Sequence, residues 1–409
     1  MRNSSKVFKL FAAAALFLFA SVAGAQPPLK AGDRVVFLGD SITQQQIYTR
    51  YVMNYFTLRY PGLDVTFRNA GWGGDFASRG LGRLQRDVLS LKPTVVTVCY
   101  GMNDAGYKKF DEKVLGRYAQ SMEGLVAELK KAGARVVLLT PGCVDTDRNA
   151  PFKEVDYNGT LARYGQAVEQ LARKENAAFF NMHGLMLDAQ TRAKARDPNF
   201  TMLPDGVHPN EMGQAVMTYA ALKALGCKDQ ASGLEIDALA SKAIADRCRV
   251  EDLKVTADSV TFTRTDEALP TALDTGALPI LDLVPFTQDF NQYTFKVTGL
   301  KAGSWKLTVE GIEVGAFSDK DFAAGVNLAT LPGPWLKIGQ EVNNACKEQE
   351  SLYFTAWREV SLLKVPEEAN PERDALASKL GEFVLQKEAA RLKTVPSNRS
   401  WKWVVTLVK

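Results

Sequence analysis

Between residues 34 and 225, short β-branched apolar runs alternate with longer amphipathic stretches, and this alternation restricts the fold more than any other feature of the chain. RVVFL at 34–38, residues 65–68, TVVTVC at 94–99, RVVLLT at 135–140 and residues 177–181 read as strands. Residues 47–59, 112–131, 160–174 and 210–225 read as helices, the second stopping at Ala132-Gly133 and the last at Gly226. Strands that alternate with helices form a parallel sheet covered on both faces. After Cys227 the pattern changes. Residues 233–247 read as a helix, and 255–264, 293–298 and 306–314 as strands, the last two joined by a turn near Gly303. Residues 335–363 and 371–392 follow as helices, with a final strand at 401–408. This second region is either a small α+β domain or a layer packed on the first.

The two ends and the cysteines bound the setting. Arg2, Lys6 and Lys9 precede an uncharged apolar run from Leu10 to Val22, and Ala23-Gly24-Ala25 is a small-residue cleavage site. That is the pattern of an export signal cut before Gln26. The run is shorter than the roughly 20 apolar residues of a membrane span. The expected organisation is therefore a signal peptide at 1–25, a first domain at 26–227 and an extension at 228–409, in an exported, periplasmic or extracellular protein. Loss of the three positive residues takes the formal charge from +4 to +1, and no basic stripe argues for nucleic acid. Of five cysteines, Cys227 and Cys248 are the expected disulfide pair, Cys99 lies within a strand as a buried thiol, and the odd count leaves at least one unpaired. No CxxC occurs, so a thiolate zinc site is not expected.

Four short motifs carry the chemistry. Gly39-Asp40-Ser41 follows the first strand, where a serine opening a turn into a helix presents both its hydroxyl and its N–H at the sheet edge. The stretch from Asn69 to Asp75 follows the second strand and is rich in glycine, which allows close backbone approach to a ligand. Gly101-Met102-Asn103-Asp104 follows the third and offers a side-chain amide donor. Asp205 stands three residues before His208, so the carboxylate can hold one ring nitrogen and leave the other for a serine. The other histidine, His183, is expected to be structural. Taken alone, each motif also reads as a plain turn, a helix cap or a tight loop, and His208 as a structural loop histidine. With strand order 2-1-3-4-5, however, Ser41 and Asn103 meet at the switch point with Gly74 alongside. That makes one nucleophile with three oxyanion donors: the Ser41 and Gly74 N–H groups and the Asn103 amide.

In this ordered set the chain resembles the SGNH hydrolases, the GDSL-like esterases and lipases. The matching residues are Ser41 in GDS, Gly74 before Asp75, Asn103 in GMND, and Asp205 with His208. The resemblance covers about residues 34–225 and implies a flavodoxin-like three-layer α/β/α fold. It also implies a serine esterase with Ser41, Asp205 and His208 as catalytic residues and no cofactor or metal. Asp75 and Asp104 are expected to brace the loops. Trp72, Tyr100 and Asp40 are candidate substrate contacts, with the two aromatics either stacking on a sugar or packing in the core.

Export and the aromatic residues near the motifs favour an O-acetylated carbohydrate as substrate. A lipid, lysophospholipid or short-chain ester is the alternative within the same chemistry. A non-catalytic carbohydrate-binding or surface interaction protein is the alternative of another class. The oligomeric state is left open.

Overall fold

The computed structural model describes residues 28–228 and 230–408. The expected signal peptide at 1–25 lies outside the described residues. In chain order the first region contains β1 (Asp33–Gly39), α1 (Ser41–Gln44), α2 (Ile47–Arg59), β2 (Val65–Gly71), α3 (Ala77–Asp87), β3 (Val95–Cys99) and α4 (Glu112–Lys131). There follow β4 (Arg135–Leu139), α5 (Ala150–Glu154), α6 (Tyr157–Glu175), β5 (Ala178–Phe180), α7 (Met182–Lys194) and α8 (Glu211–Leu225). The five strands pair in parallel in the order β2-β1-β3-β4-β5. The residues of β1, β3 and β4 are almost wholly buried, as continuous apolar strands between two helical layers must be. α2 and α8 pack together, while α3, α4 and α6 form the other row. The register ends Gly39 opposite Gly71 and Cys99, so the loops carrying the first three motifs leave the sheet side by side.

The second region differs from its sequence reading. Residues 233–247 are not a helix but two antiparallel strands, β6 (Ser232–Asp237) and β7 (Lys242–Asp246). Alanine content suggests a helix there, but Leu234 and Ile236 are buried on one side of a strand, and β6 is fixed by parallel pairing with a later strand. β8 (Cys248–Val255) was not foreseen; it pairs with β9 (Ser259–Asp266). After α9 (Phe286–Phe290) and β10 (Tyr293–Thr298), residues 306–314 prove to be a hairpin of β11 (Ser304–Val309) and β12 (Ile312–Ser318). Its turn puts Glu310 and Gly311 at φ 49° and 76°, the paired positive φ that suits a tight hairpin. The remaining elements are α10 (Asp319–Ala324), β13 (Val326–Asn327), α11 (Pro334–Phe354), α12 (Asn370–Thr394) and β14 (Ser400–Leu407). Two sheets result, β13-β10-β6-β7 and β12-β11-β14-β9-β8. Trp403 stacks on Phe262 and Trp335 between them. All five cysteines are buried and none is in a disulfide, so the expected Cys227–Cys248 bond is absent; the Cys248 thiol instead donates to the Gly233 carbonyl at 3.4 Å.

This region packs as a layer on the first. Every residue of α2 from Tyr48 to Arg59 is buried, because its outer face is covered by α11. Asn54 donates to the Gly339 carbonyl at 3.0 Å and accepts from the Ala272 N–H at 3.2 Å. Arg391 of α12, 1% exposed, donates to Gln349, to Thr57 and to the Val65 carbonyl. Among the described residues no helix is long and apolar enough to cross a membrane.

Candidate active site

β1 delivers the chain into α1 through Asp40, whose carboxylate caps the helix by accepting the Ile42 N–H at 2.9 Å. Ser41 is the first helical residue, so its N–H has no partner inside the helix. A Cβ at Gly39 would overlap Thr43 Oγ1 and the Cys99 carbonyl, so the tight strand-to-helix turn requires glycine there. Ser41 Oγ lies 2.8 Å from His208 Nε2. Asp205 Oδ2 lies 2.6 Å from His208 Nδ1, and its Oδ1 accepts the backbone N–H groups of His208 and Val207 at 2.7 and 2.9 Å. An ionised carboxylate only accepts, so Nδ1 carries the proton and Nε2 is free to accept from Ser41. Partial burial opposes the charge on Asp205, but the hydrogen bonds from His208 and Val207 outweigh it and hold the carboxyl below its ordinary value. From α8, Gln214 donates to Gln45 at 2.7 Å and accepts the Tyr48 N–H at 3.1 Å, tying the histidine loop's helix to α1 and α2.

The other two loops converge on the same edge. Gly74 is exposed at φ 69°, a left-handed conformation suited to glycine, and its N–H has no acceptor among the described residues. Gln44 holds the neighbouring Gly73 N–H at 2.5 Å. Asn103 spends one amide hydrogen on the Asp75 carbonyl at 2.8 Å, and its Oδ1 accepts from Tyr107 at 2.7 Å. The second amide hydrogen remains for a ligand. The Tyr107 contact fixes which way the amide points, and no pattern in the sequence marks that residue. Asp104 accepts the Ala77 and Gly101 N–H groups at 2.8 and 2.9 Å. Asp75 accepts from Arg83 and Tyr100, both at 2.9 Å. Both acids brace loops, as the sequence suggests. Burial pushes the Asp40 carboxyl up to about 7 and that of Asp104 to about 6, each opposed by backbone N–H donors.

The three candidate substrate contacts have structural partners within the protein. Tyr100 is 0% exposed, with its hydroxyl committed to Asp75 and Arg83, and Asp40 is 3% exposed as a helix cap. Trp72 is half-buried, but its ring is covered by Arg358 of the second region, with the guanidinium carbon 3.1 Å from the ring centroid. His183 is buried, its N–H donates to Thr140, and burial pushes its imidazole down to about 4. Among the described residues no group of three or more His, Cys, Asp or Glu side chains is arranged to hold a metal ion.

The arrangement of a hydroxyl, an imidazole, an orienting carboxylate and convergent N–H donors can take an acyl group onto serine and hand it to water. Residues 37–216 match the family described as GDSL-like lipase/acylhydrolase. An acetylxylan esterase from Geobacillus stearothermophilus is 26% identical over 223 residues, spanning 48% of this chain and 95% of that protein. The structure is similar to that of BT4096, a gut microbial diltiazem-metabolizing enzyme, with TM-score 0.80 and 25% identity over 93% of this chain and 99% of that one. A solved structure of the Geobacillus stearothermophilus acetylxylan esterase Axe2 gives TM-score 0.41 and 24% identity over 49% of this chain and 97% of that one. Residues 37–216 thus match the SGNH, or GDSL-like, hydrolases, with an additional C-terminal α+β region beyond them, and these likenesses support an ester hydrolase.

Proposed function

We propose that the protein is an exported serine esterase that removes O-acetyl groups from a carbohydrate through an acyl-enzyme. The observation that carries the mechanism is the Ser41–His208–Asp205 chain of contacts at 2.8 and 2.6 Å. His208 takes the Ser41 proton as Oγ attacks the ester carbonyl. The negative oxygen is met by the N–H groups of Ser41 and Gly74 and by the free Asn103 amide hydrogen. His208 returns the proton to the departing sugar hydroxyl, and water then releases acetate by the reverse path. Asp205 keeps the imidazole in the required tautomer. The acetyl and carbohydrate reading is supported by the similarity to an acetylxylan esterase, and the export reading by the leader-like residues 1–25.

The test is acetate release from acetylated polysaccharides, run beside p-nitrophenyl esters of rising chain length and diltiazem. The expected result is acetate from a glycan, with Ser41→Ala lowering kcat by roughly 10⁴-fold or more while the melting temperature holds. Turnover confined to long-chain esters would move the substrate to lipid. An active Ser41→Ala enzyme would remove the proposed nucleophile.

A further inference from the structure

The C-terminal region reaches the rim of the active site at one turn. After α11 the helix widens into a π-helical segment, Thr355–Val360, a form often found at functional positions. It seats two side chains on Trp72. The Trp357 ring meets Trp72 edge-on at 6.1 Å, and its Nε1 donates to Asp87 at 3.2 Å. Arg358 sits over the Trp72 ring, its guanidinium carbon 3.1 Å from the centroid. Trp72 belongs to the oxyanion loop: its N–H donates to the Gly39 carbonyl at 3.0 Å. Gly74 is two residues further on, at most about 7 Å of chain.

The charges around this indole do not balance. Arg83 and Arg86 also approach the ring, at 5.4 and 5.6 Å, and Arg79 is beside them. Two carboxylates answer these four guanidiniums. Asp75 pairs with Arg83 and Arg79, and Asp87 with Arg83 and Arg86. Arg358 has neither a hydrogen bond nor an ion pair among the described residues and is only partly buried. Burial, then Arg83, and more weakly Arg86 and Arg79, push its guanidinium below the ordinary value, with Asp87 in part opposing them. Arginine nevertheless stays charged at neutral pH. Stacking uses the face of the guanidinium and leaves the N–H groups on its edge for a forked bond to a planar anion.

We propose that Arg358, flanked by Arg86 and Arg79, forms a subsite for a carboxylate on the alcohol part of the substrate, so that the preferred ester is an acetylated glycan containing acid sugars. This rests on the carbohydrate esterase reading and deepens it. The second region thus supplies a specificity residue that residues 26–227 lack.

The test compares kcat/KM on an acetylated uronic-acid oligomer with that on an acetylated neutral xylo-oligomer. It uses wild type, Arg358→Met, Arg358→Lys and, as a distant charge control, Lys242→Ala. Wild type should favour the acidic oligomer by about tenfold or more, through KM, with the preference shrinking as salt is raised. Arg358→Met, which keeps a stem over Trp72, should bring the ratio near one; Arg358→Lys should leave part of it, and Lys242→Ala all of it. A wild-type ratio at or below one overturns the proposal, as does an unchanged ratio in a folded Arg358→Met protein. Hydrolysis of p-nitrophenyl acetate separates the two readings. If the enzyme cleaves neither that ester nor any acetylated glycan, the esterase reading fails. Calorimetric binding of the deacetylated uronic-acid oligomer then decides the subsite alone: binding that Arg358→Met abolishes supports it, and no binding overturns it.

Discussion

Two charged pairs, one in each region of this chain, are put to opposite uses. In the first, Asp205, His208 and Asn103 stand at the open edge of the parallel sheet, and His208 and Asp205 are 40% and 57% exposed in their side chains. In the second, charge is enclosed. Arg264 and Asp266 are both 0% exposed and paired at 2.9 Å, with the guanidinium 4.4 Å from the Tyr293 ring centroid and 5.0 Å from that of Trp403. Between the regions, Arg391 and Glu350 are buried against α2 and β2. An open carboxylate can orient a base that must change its protonation state, whereas a sealed ion pair is strongly destabilising to break and so fixes one packing. The contrast separates the two sites: the Asp205–His208 pair is open to react, and the Arg264–Asp266 pair holds a packing.

Separating the regions is the harshest way to break that contrast. A chain ending at 227 would expose the apolar outer face of α2 and strand the polar groups that α11 and α12 satisfy. It should fail to give a cooperative melting transition, with no esterase activity. A folded, active fragment would make the second region an accessory. A smaller effect should follow from Asn103→Ala, which removes one oxyanion donor without touching the interface. The expected loss is about 100-fold in kcat, with little change in melting temperature. An equal loss of stability would make Asn103 a loop brace and not a transition-state donor.

The same contrast explains what the sequence revealed. Strands such as TVVTVC are legible because burial on both faces demands continuous apolar runs, and β3 spans Val95–Cys99 as expected. Gly39, Gly74 and Asn103 are legible because a tight turn, a left-handed residue and an amide donor each need a particular residue type. Tyr107, Gln214 and Arg358 are not, because each acts on a residue far along the chain or through a contact that any of several side chains could make. Residues 233–247 were misread because helix propensity favours Ala and Lys, whereas the conformation of β6 is set by its parallel partner β10, some 60 residues away. The full burial of α2 had a visible signal: a stretch reading YVMNYFTL is apolar around most of its circumference, and such a helix needs cover on more than one side.

Within the interface, Arg391→Leu should destabilise the protein by about 3 kcal/mol, since it leaves Gln349 and the Val65 carbonyl without their buried donor. A change near zero in the denaturation midpoint would mean that the helical layer is held by apolar contact alone.

Glu350 is the subtler probe of the same layer. It is 3% exposed; one carboxyl oxygen accepts from Thr49 at 2.6 Å and the other has no hydrogen-bond partner among the described residues. Burial raises its carboxyl from the ordinary 4.5 to about 8, against the opposing pull of the Thr49 hydroxyl, Arg50 and Arg391. The sign follows from proton counting. Between about 4.5 and about 8 the unfolded chain releases this proton while the folded chain keeps it, so the contribution of Glu350 to stability is present at acid pH and falls away as pH rises through that window. Asp40 and Asp104 are shifted in the same sense, but their slopes are common to wild type and variant and cancel in a difference. Glu350→Gln keeps an uncharged acceptor for Thr49 and removes the titration. It should match wild type near pH 4.5 and become more stable by up to about 5 kcal/mol above pH 8, the pull of Arg50 and Arg391 being already contained in the raised value. Melting temperatures measured across this range decide the point. A variant that grows less stable than wild type at high pH would show that the folded protein holds Glu350 ionised between its two arginines, and that the interface uses buried charge as the Arg264–Asp266 pair does.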